Sequence, residues 1–294
     1  MADGTAKPSP PSRPEFEREL PPLGTVGDVA RPLSAFERLV NLASVRRLFL
    51  LLVLAGLWQA YGAWLSNPLI FPSFGSVLDA LWESILTRGL LWRAWASIAV
   101  LAKGYVIGCV LALAITALAV STRVGSDLLS TLTAMFNPLP AIALLPIALL
   151  WFGLGETSLV FVLVHSVLWP LALNTHAGFT AVSETLRMAG RNYGLTGIRY
   201  VIRILIPAAF PSILAGLKIA WAFAWRTLIA AELVFGVSSR SGGLGWFIFE
   251  NRNELNIPEV FAGLVMVILI GLTVEAVVFR AVEARTVRRW GMQR

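Results

Sequence analysis

Six apolar stretches, each near the ~20 residues that cross a bilayer as a helix, recur at about 48–65, 95–120, 128–152, 157–179, 209–235 and 259–281. They predict an all-α membrane protein with six transmembrane helices, its transmembrane domain filling residues 46–290. Residues 1–45 are Pro-rich and polar and lack a long apolar core, which predicts a disordered cytosolic tail and no cleavable signal. Between the first two spans, residues 73–87 place Val77, Leu78, Leu81, Trp82 and Ile85 on one helical face. That segment is too short to cross and is expected to lie flat on the membrane surface.

A polar, arginine-bearing interruption falls between the fourth and fifth spans, at residues 183–211, SETLRMAGRNYGLTGIRYVIRILIPAAFP. Arg187, Arg191, Arg199 and Arg203 follow one another at spacings of 4, 8 and 4, rows along which helical side chains share a face. Ser183 stands where a helix cap belongs, and Gly194 where a left-handed turn would end that helix. Pro207 and Pro211 punctuate the start of the next span. The segment therefore reads as helix, glycine elbow, helix, lying at the membrane surface.

Charge supplies the orientation. With the N-terminus inside, seventeen Lys and Arg fall in cytoplasmic segments, whereas Arg88, Arg93, Arg240 and Arg252 are outside. By the positive-inside rule both termini are cytoplasmic, N-in and C-in, and the 183–207 loop is cytoplasmic too. The net charge of +7 is thus a topology signal and not a nucleic-acid footprint. Only 14% of residues are charged, against about a quarter in soluble domains. The single cysteine, Cys109, excludes an internal disulfide framework, and no metal-ligating cluster or Gly-x-x-x-x-Gly-Lys-Ser/Thr loop occurs.

Several residues stand out within the spans. Asn137-Pro138-Leu139-Pro140 and Pro146 interrupt the third, and proline kinks survive in a membrane where neighbours or a water-filled path satisfy the freed carbonyls. Arg226 sits in the middle third of the fifth span, where an unpaired charge costs at least ~2.5–3.5 kcal/mol, so it should face protein or water. It either lines an anion path or pairs structurally with Glu232. Asn137, Pro140 and Arg226 are the candidate path residues. Lys218 is expected to snorkel toward the cytoplasmic side, and Lys103 and Glu275 to be structural. His165 is expected to be a hydrogen-bonded interior histidine and His176 to touch headgroups. Gly153-Leu154-Gly155 forms a tight external turn, and the 236–258 loop, with Ser241-Gly242-Gly243-Leu244-Gly245, is expected to be flexible enough to fold back into a pore mouth.

The polar loop resembles the EAA loop of ABC-importer permeases, whose pattern is Glu-Ala-Ala, three residues, Gly, nine residues, Ile, one residue, Leu, Pro. Gly194 is followed at the required distance by Ile204, Ile206 and Pro207, with Ile206 replacing Leu. Met188, Ala189 and Gly190 stand at the triplet, without its glutamate. NPLPAIALLPIALLWFGLGE (137–156) and TLIAAELV (227–234) are similar to the branch serving nitrate, aliphatic sulfonates and taurine. The resemblance spans about residues 48–290. It implies a multi-pass inner-membrane complex: two copies of the permease, a cytosolic ABC ATPase dimer and an external substrate-binding protein. ATP is used by the partner, so this chain is expected to be neither an enzyme nor a cofactor carrier. The helix around 186–194 would then seat in a groove on the ATPase. Arg187 and Arg191 would meet acidic rims, Met188 and Tyr193 would fill pockets, Ala189 and Gly190 would allow close backbone approach, and Gly194, Ile204 and Pro207 would shape the loop.

Two other readings stay open on the residues alone. One is an ABC permease for a different small solute, such as bicarbonate, an aromatic acid or a vitamin precursor. The other is an ion-coupled secondary transporter, which would want paired acidic residues in mid-membrane. Glu232 is placed near the outer rim and Glu275 in the inner third, so no such pair is evident. A membrane enzyme lacks a nucleophile–base pair.

Overall fold

A computed structural model describes Glu37, residues 41–235 and residues 242–287. The expected tail over 1–45 lies almost wholly outside them. Every regular element among the described residues is helical. Among the described residues five helices are long and apolar enough to cross a membrane, or six if one sharply bent pair counts as a span.

The chain divides into two units at Leu54, inside α1 (Ala43–Leu65). Up to Leu54 the helix exposes Leu48, Phe49, Leu50, Leu51 and Leu52, apolar around its circumference as a lipid-facing helix would be. From Ala55 onward, Trp58 donates its indole N–H to the Pro72 carbonyl (3.0 Å) and packs near Phe71, Phe74 and Phe261. Ser73 caps α2 (Phe74–Leu86) by accepting the Ser76 N–H. The apolar face expected of this helix divides in two. Val77 is fully buried, with Leu81 and Ile85 packed on the core, whereas Leu78 and Trp82 are exposed. A helix turns about 100° per residue, so 78 and 82 form a separate stripe beside 77, 81 and 85.

The core is three helices: α3 (Leu90–Ala119), α6 (Glu156–Thr180) and α9 (Ile206–Phe235). Half of the apolar stretch of α6 is buried, more than in any other span among the described residues. Small residues let the backbones approach, the usual device between membrane helices. Gly104 and Gly108 of α3 lie against Leu163 and Val167, while Gly178 of α6 meets Ser212 and Gly216 of α9 meets Asn174.

The third apolar stretch is not one continuous helix. It is α4 (Arg123–Phe136), a short 3-10 turn at Ala141–Leu144 and α5 (Leu145–Phe152), bent by 87° at Asn137–Pro140. Pro138 and Pro140 lack N–H groups, and Pro140 is extended (φ −62°, ψ 116°), so no helical ladder runs through them. Pro146 makes no kink. It lies in the first turn of α5, where a missing donor costs nothing.

A second departure concerns the end of the polar loop. From Gly197 to Val234 the chain is one helical run of 38 residues, about 57 Å long. Its start comprises α8 (Gly197–Tyr200) and a π-helical turn, Val201–Leu205, leading into α9. Pro207 and Pro211 do not break it. Ile206 donates to the Val201 carbonyl five residues back, a wider turn placed next to the residue that cannot donate. The last elements are α10 (Leu244–Asn253), α11 (Ile257–Thr273), a π-helical turn at Val274–Phe279 and α12 (Arg280–Arg285). Residues 236–241 of the expected flexible loop lie outside the described residues. The remainder is ordered: α10 buries Leu244, Phe247 and Ile248.

Candidate functional site

The polar-loop motif folds as α7 (Glu184–Asn192) closed by Gly194 at φ +69°, the left-handed turn the sequence predicts. The Gly194 and Leu195 N–H groups return to the Arg191 and Gly190 carbonyls. Ser183 occupies the cap position, but its side chain makes no capping bond. The four arginines divide between α7 and the helical run after Gly197, since the elbow breaks their common face.

The structure redistributes the roles expected on α7. Arg187 turns back onto α6: its guanidinium donates to the Phe179 carbonyl (2.6 Å) and the Val182 carbonyl (3.1 Å), with Glu184 at 3.8 Å. It thus ties α7 to carbonyls at and just beyond the end of α6. Gly190 is buried against Tyr200 and Ile204 of the same chain, so its close approach is internal. Ala189 is half-buried beside it, and Ile204 and Pro207 are likewise half-buried. Met188 (50% exposed), Tyr193 (85% exposed) and Arg191 present outward. Behind α7 is a cavity of about 610 Å³ lined by Arg123, Arg187, Arg191, Thr196 and Tyr200.

A second cavity, about 380 Å³, forms at the break between α4 and α5. Asn137, Pro140 and Arg226, widely separated in sequence, all line it. Arg226 is exposed there, donating from Nε to its own helix at the Ala222 carbonyl (3.0 Å) and stacking its guanidinium on Phe223 (4.9 Å). It makes no pair with Glu232, six residues further and on another helical face. Glu232 is fully buried elsewhere. Its carboxylate accepts from the Ser97 hydroxyl (2.8 Å) and the Gly245 N–H (2.9 Å), while Ser97 accepts the Leu244 N–H (2.8 Å). The carboxylate therefore holds the N-terminus of α10, where the helix dipole favours a negative group. Gly243 and Gly245 are required for this approach, because a Cβ at either would collide with the Glu232 side chain.

His165 also lines the smaller cavity, a placement the sequence reading did not assign. Neither ring nitrogen has a hydrogen-bond partner in the protein, in contrast to the bonded interior histidine expected. Trp169 follows it by one helical turn and stacks on Phe136 at 4.9 Å, so an i, i+4 reading from Trp169 would have found it. Pro170 supplies no donor to the Ser166 carbonyl, and both residues border the cavity.

Both lysines within the spans have acidic partners. Lys218 pairs with Glu283 (3.0 Å) and Glu275 (3.6 Å) instead of snorkelling alone, and Lys103 pairs with Glu156 (2.6 Å). His176 bonds to Ser126 (2.7 Å), so α4 holds its ring. Among the described residues no cluster of His, Cys, Asp and Glu could hold a metal.

Residues 104–288 match the family described as binding-protein-dependent transport system inner membrane component. A putative ABC transporter permease protein of Methanocaldococcus jannaschii is 30% identical over 74% of this chain and 82% of its own length. A putative aliphatic sulfonates transport permease protein of Escherichia coli is 31% identical over 76% and 84%, respectively. The nitrate import permease protein of Leptolyngbya laminosa is 28% identical over 77% and 82%.

Proposed function

From the premise that this chain belongs to the inner-membrane permeases of binding-protein-dependent ABC importers, we propose that it carries a small anion. Such a permease is not an enzyme. It works with an ATPase and a substrate-binding protein. The observation that carries the anion reading is the convergence of Asn137, Pro140 and the exposed guanidinium of Arg226 on one cavity at a broken span. A fixed cation in a low-dielectric wall attracts an anion more strongly than it would in water, and a single charge still permits release. The names of the relatives, aliphatic sulfonate and nitrate permeases, lie in the same chemical class.

The loop over 183–207 serves as the coupling element. Met188, Arg191 and Tyr193 are the groups free to enter a groove on the ATPase, with Arg187 and Gly190 holding α7 to the rest of the chain. Ala189 and Gly190 seat α7, Gly194 sets its angle, and Ile204 receives it on the helical run that Pro207 leaves unbroken. Tyr200, Ile204 and Arg226 belong to that one 38-residue run. From Ile204 to Arg226 is about 33 Å at 1.5 Å per residue, so displacement of α7 reaches the cavity wall along a single lever. ATP enters as a differential affinity of the ATPase for one permease conformation, which shifts the population between inward-open and outward-open forms. Both termini and the loop are cytoplasmic, six spans cross the membrane, and two copies of the chain form the path.

Reconstitution in liposomes with its ATPase and binding protein tests this reading. ATP-dependent accumulation of an alkanesulfonate or nitrate is the expected result. Accumulation of a neutral or cationic solute alone would overturn it.

A further inference from the structure

The cavity at the broken span is built unlike a site for a bare inorganic ion. Its walls include the stacked pair Phe136 and Trp169 and the ring of Phe223. An aromatic face carries negative charge density and offers no hydrogen, so an oxyanion pressed on three such rings would leave oxygens unsatisfied. Phe223 is covered in part by the Arg226 guanidinium, which gives that end of the cavity its positive charge. At about 380 Å³ the space far exceeds the ~30 Å³ that one water occupies in the liquid. That is room for a headgroup and a short apolar body together.

His165 supplies the second observation. Its ring stands edge-on to Phe136 (84° at 6.4 Å) and inclined to Trp169 (68° at 6.2 Å), and both nitrogens are buried without a protein partner. The Asn137 Oδ1 is buried without one as well. Buried polar atoms in native proteins are nearly always bonded, and leaving one unmade is costly. Two such side chains border one cavity together with the aromatic rings and the exposed Arg226 guanidinium, so the same site offers polar atoms and an apolar wall.

We infer that this cavity is the transit site for an organic anion, its headgroup held between Arg226 and His165 and its alkyl body against Phe136, Trp169 and Phe223. This rests on the anion-import reading and narrows it to organic sulfonates and similar amphiphilic anions. Asn137 orients the headgroup from the broken turn. Selection then comes from the tail as well as from charge. Each methylene buried against the aromatic wall is worth about fourfold in affinity.

The chain has two histidines, His165 and His176, which makes it its own control. Full-length permease with ring-15N-labelled histidine, in lipid nanodiscs, would be titrated with methanesulfonate, butanesulfonate and nitrate. Butanesulfonate should shift the His165 ring signals saturably, at a concentration on the order of tenfold or more below methanesulfonate. The His176 signals, held by Ser126, should stay in place. Trp169→Ala should erase the preference for the longer tail while leaving the methanesulfonate response. Arg226→Gln should weaken both sulfonates together. Equal affinity for the two sulfonates overturns the proposal, as does a His165 signal silent to all three anions. If liposome uptake of nitrate succeeds while the two sulfonates are indistinguishable, the importer reading stands and this inference falls. If tail-dependent binding is seen without ATP-driven uptake, the site stands and the transport reading falls.

Discussion

Gly190 lies directly against Tyr200: a Cβ added at 190 would stand 3.0 Å from the ring and 3.0 Å from Ile204 Cγ1. This contact seats α7 on the long helix that also carries Arg226. Gly190→Val would have to displace one of those side chains, at about 1–3 kcal/mol for overpacking. Transport should fall several-fold while the protein still inserts and folds. Gly190→Ala, adding a single methyl, should be milder. Wild-type uptake by the valine variant would remove this seat from the coupling route.

Gly194 poses the opposite problem, since nothing lies within 4 Å of where its side chain would be. Only its backbone matters, at φ +69°. A β-branched residue there costs roughly 1–2 kcal/mol or redirects α7, whereas asparagine tolerates this region. The expected order in uptake and in co-isolation of the ATPase is Gly, then Asn, then Val. Indistinguishable behaviour of the three would show that the elbow sets no angle that matters.

The Ser97–Glu232 bond predicts a stability effect well removed from both candidate sites. Ser97→Ala removes a donor to the carboxylate and an acceptor for the Leu244 N–H, at about 1–3 kcal/mol for buried groups left unmatched. The thermal midpoint of purified protein should drop. Glu232→Gln, which keeps an acceptor oxygen, should cost less than Glu232→Ala. Unchanged melting of Ser97→Ala would mean that α10 is held by its apolar face alone.

Arg226→Gln separates charge from hydrogen bonding in the cavity. Anion uptake should decrease by an order of magnitude or so if the lost attraction is about 1.4 kcal/mol. Co-isolation of the ATPase should persist, because Met188, Arg191 and Tyr193 are untouched. Arg226→Lys should retain part of the activity, as it keeps the charge and loses the planar stack on Phe223. Unchanged uptake by the glutamine variant would return Arg226 to a structural role.

Periodic features were the ones legible in the chain itself. Runs of apolar residues specify membrane helices because a bilayer leaves the backbone no partner except its own ladder. The left-handed turn at Gly194 and the break at Pro138 and Pro140 follow from local covalent geometry, so they too could be read residue by residue. The angle of that break, 87°, could not. Prolines remove donors, but the direction the chain then takes depends on what α6 and α9 offer as a surface. The same limit explains the misassigned charges. Arg226 and Glu232 are near in sequence, yet the carboxylate is bound to Ser97, 135 residues away, by a helix contact no spacing rule encodes. Arg187 and Gly190 look outward-facing in a short amphipathic helix and turn inward because carbonyls at the end of α6 accept the guanidinium and the ring of Tyr200 needs room. His165 joined Asn137 and Arg226 only when three helices had packed, since a cavity belongs to the space between elements and not to any one of them.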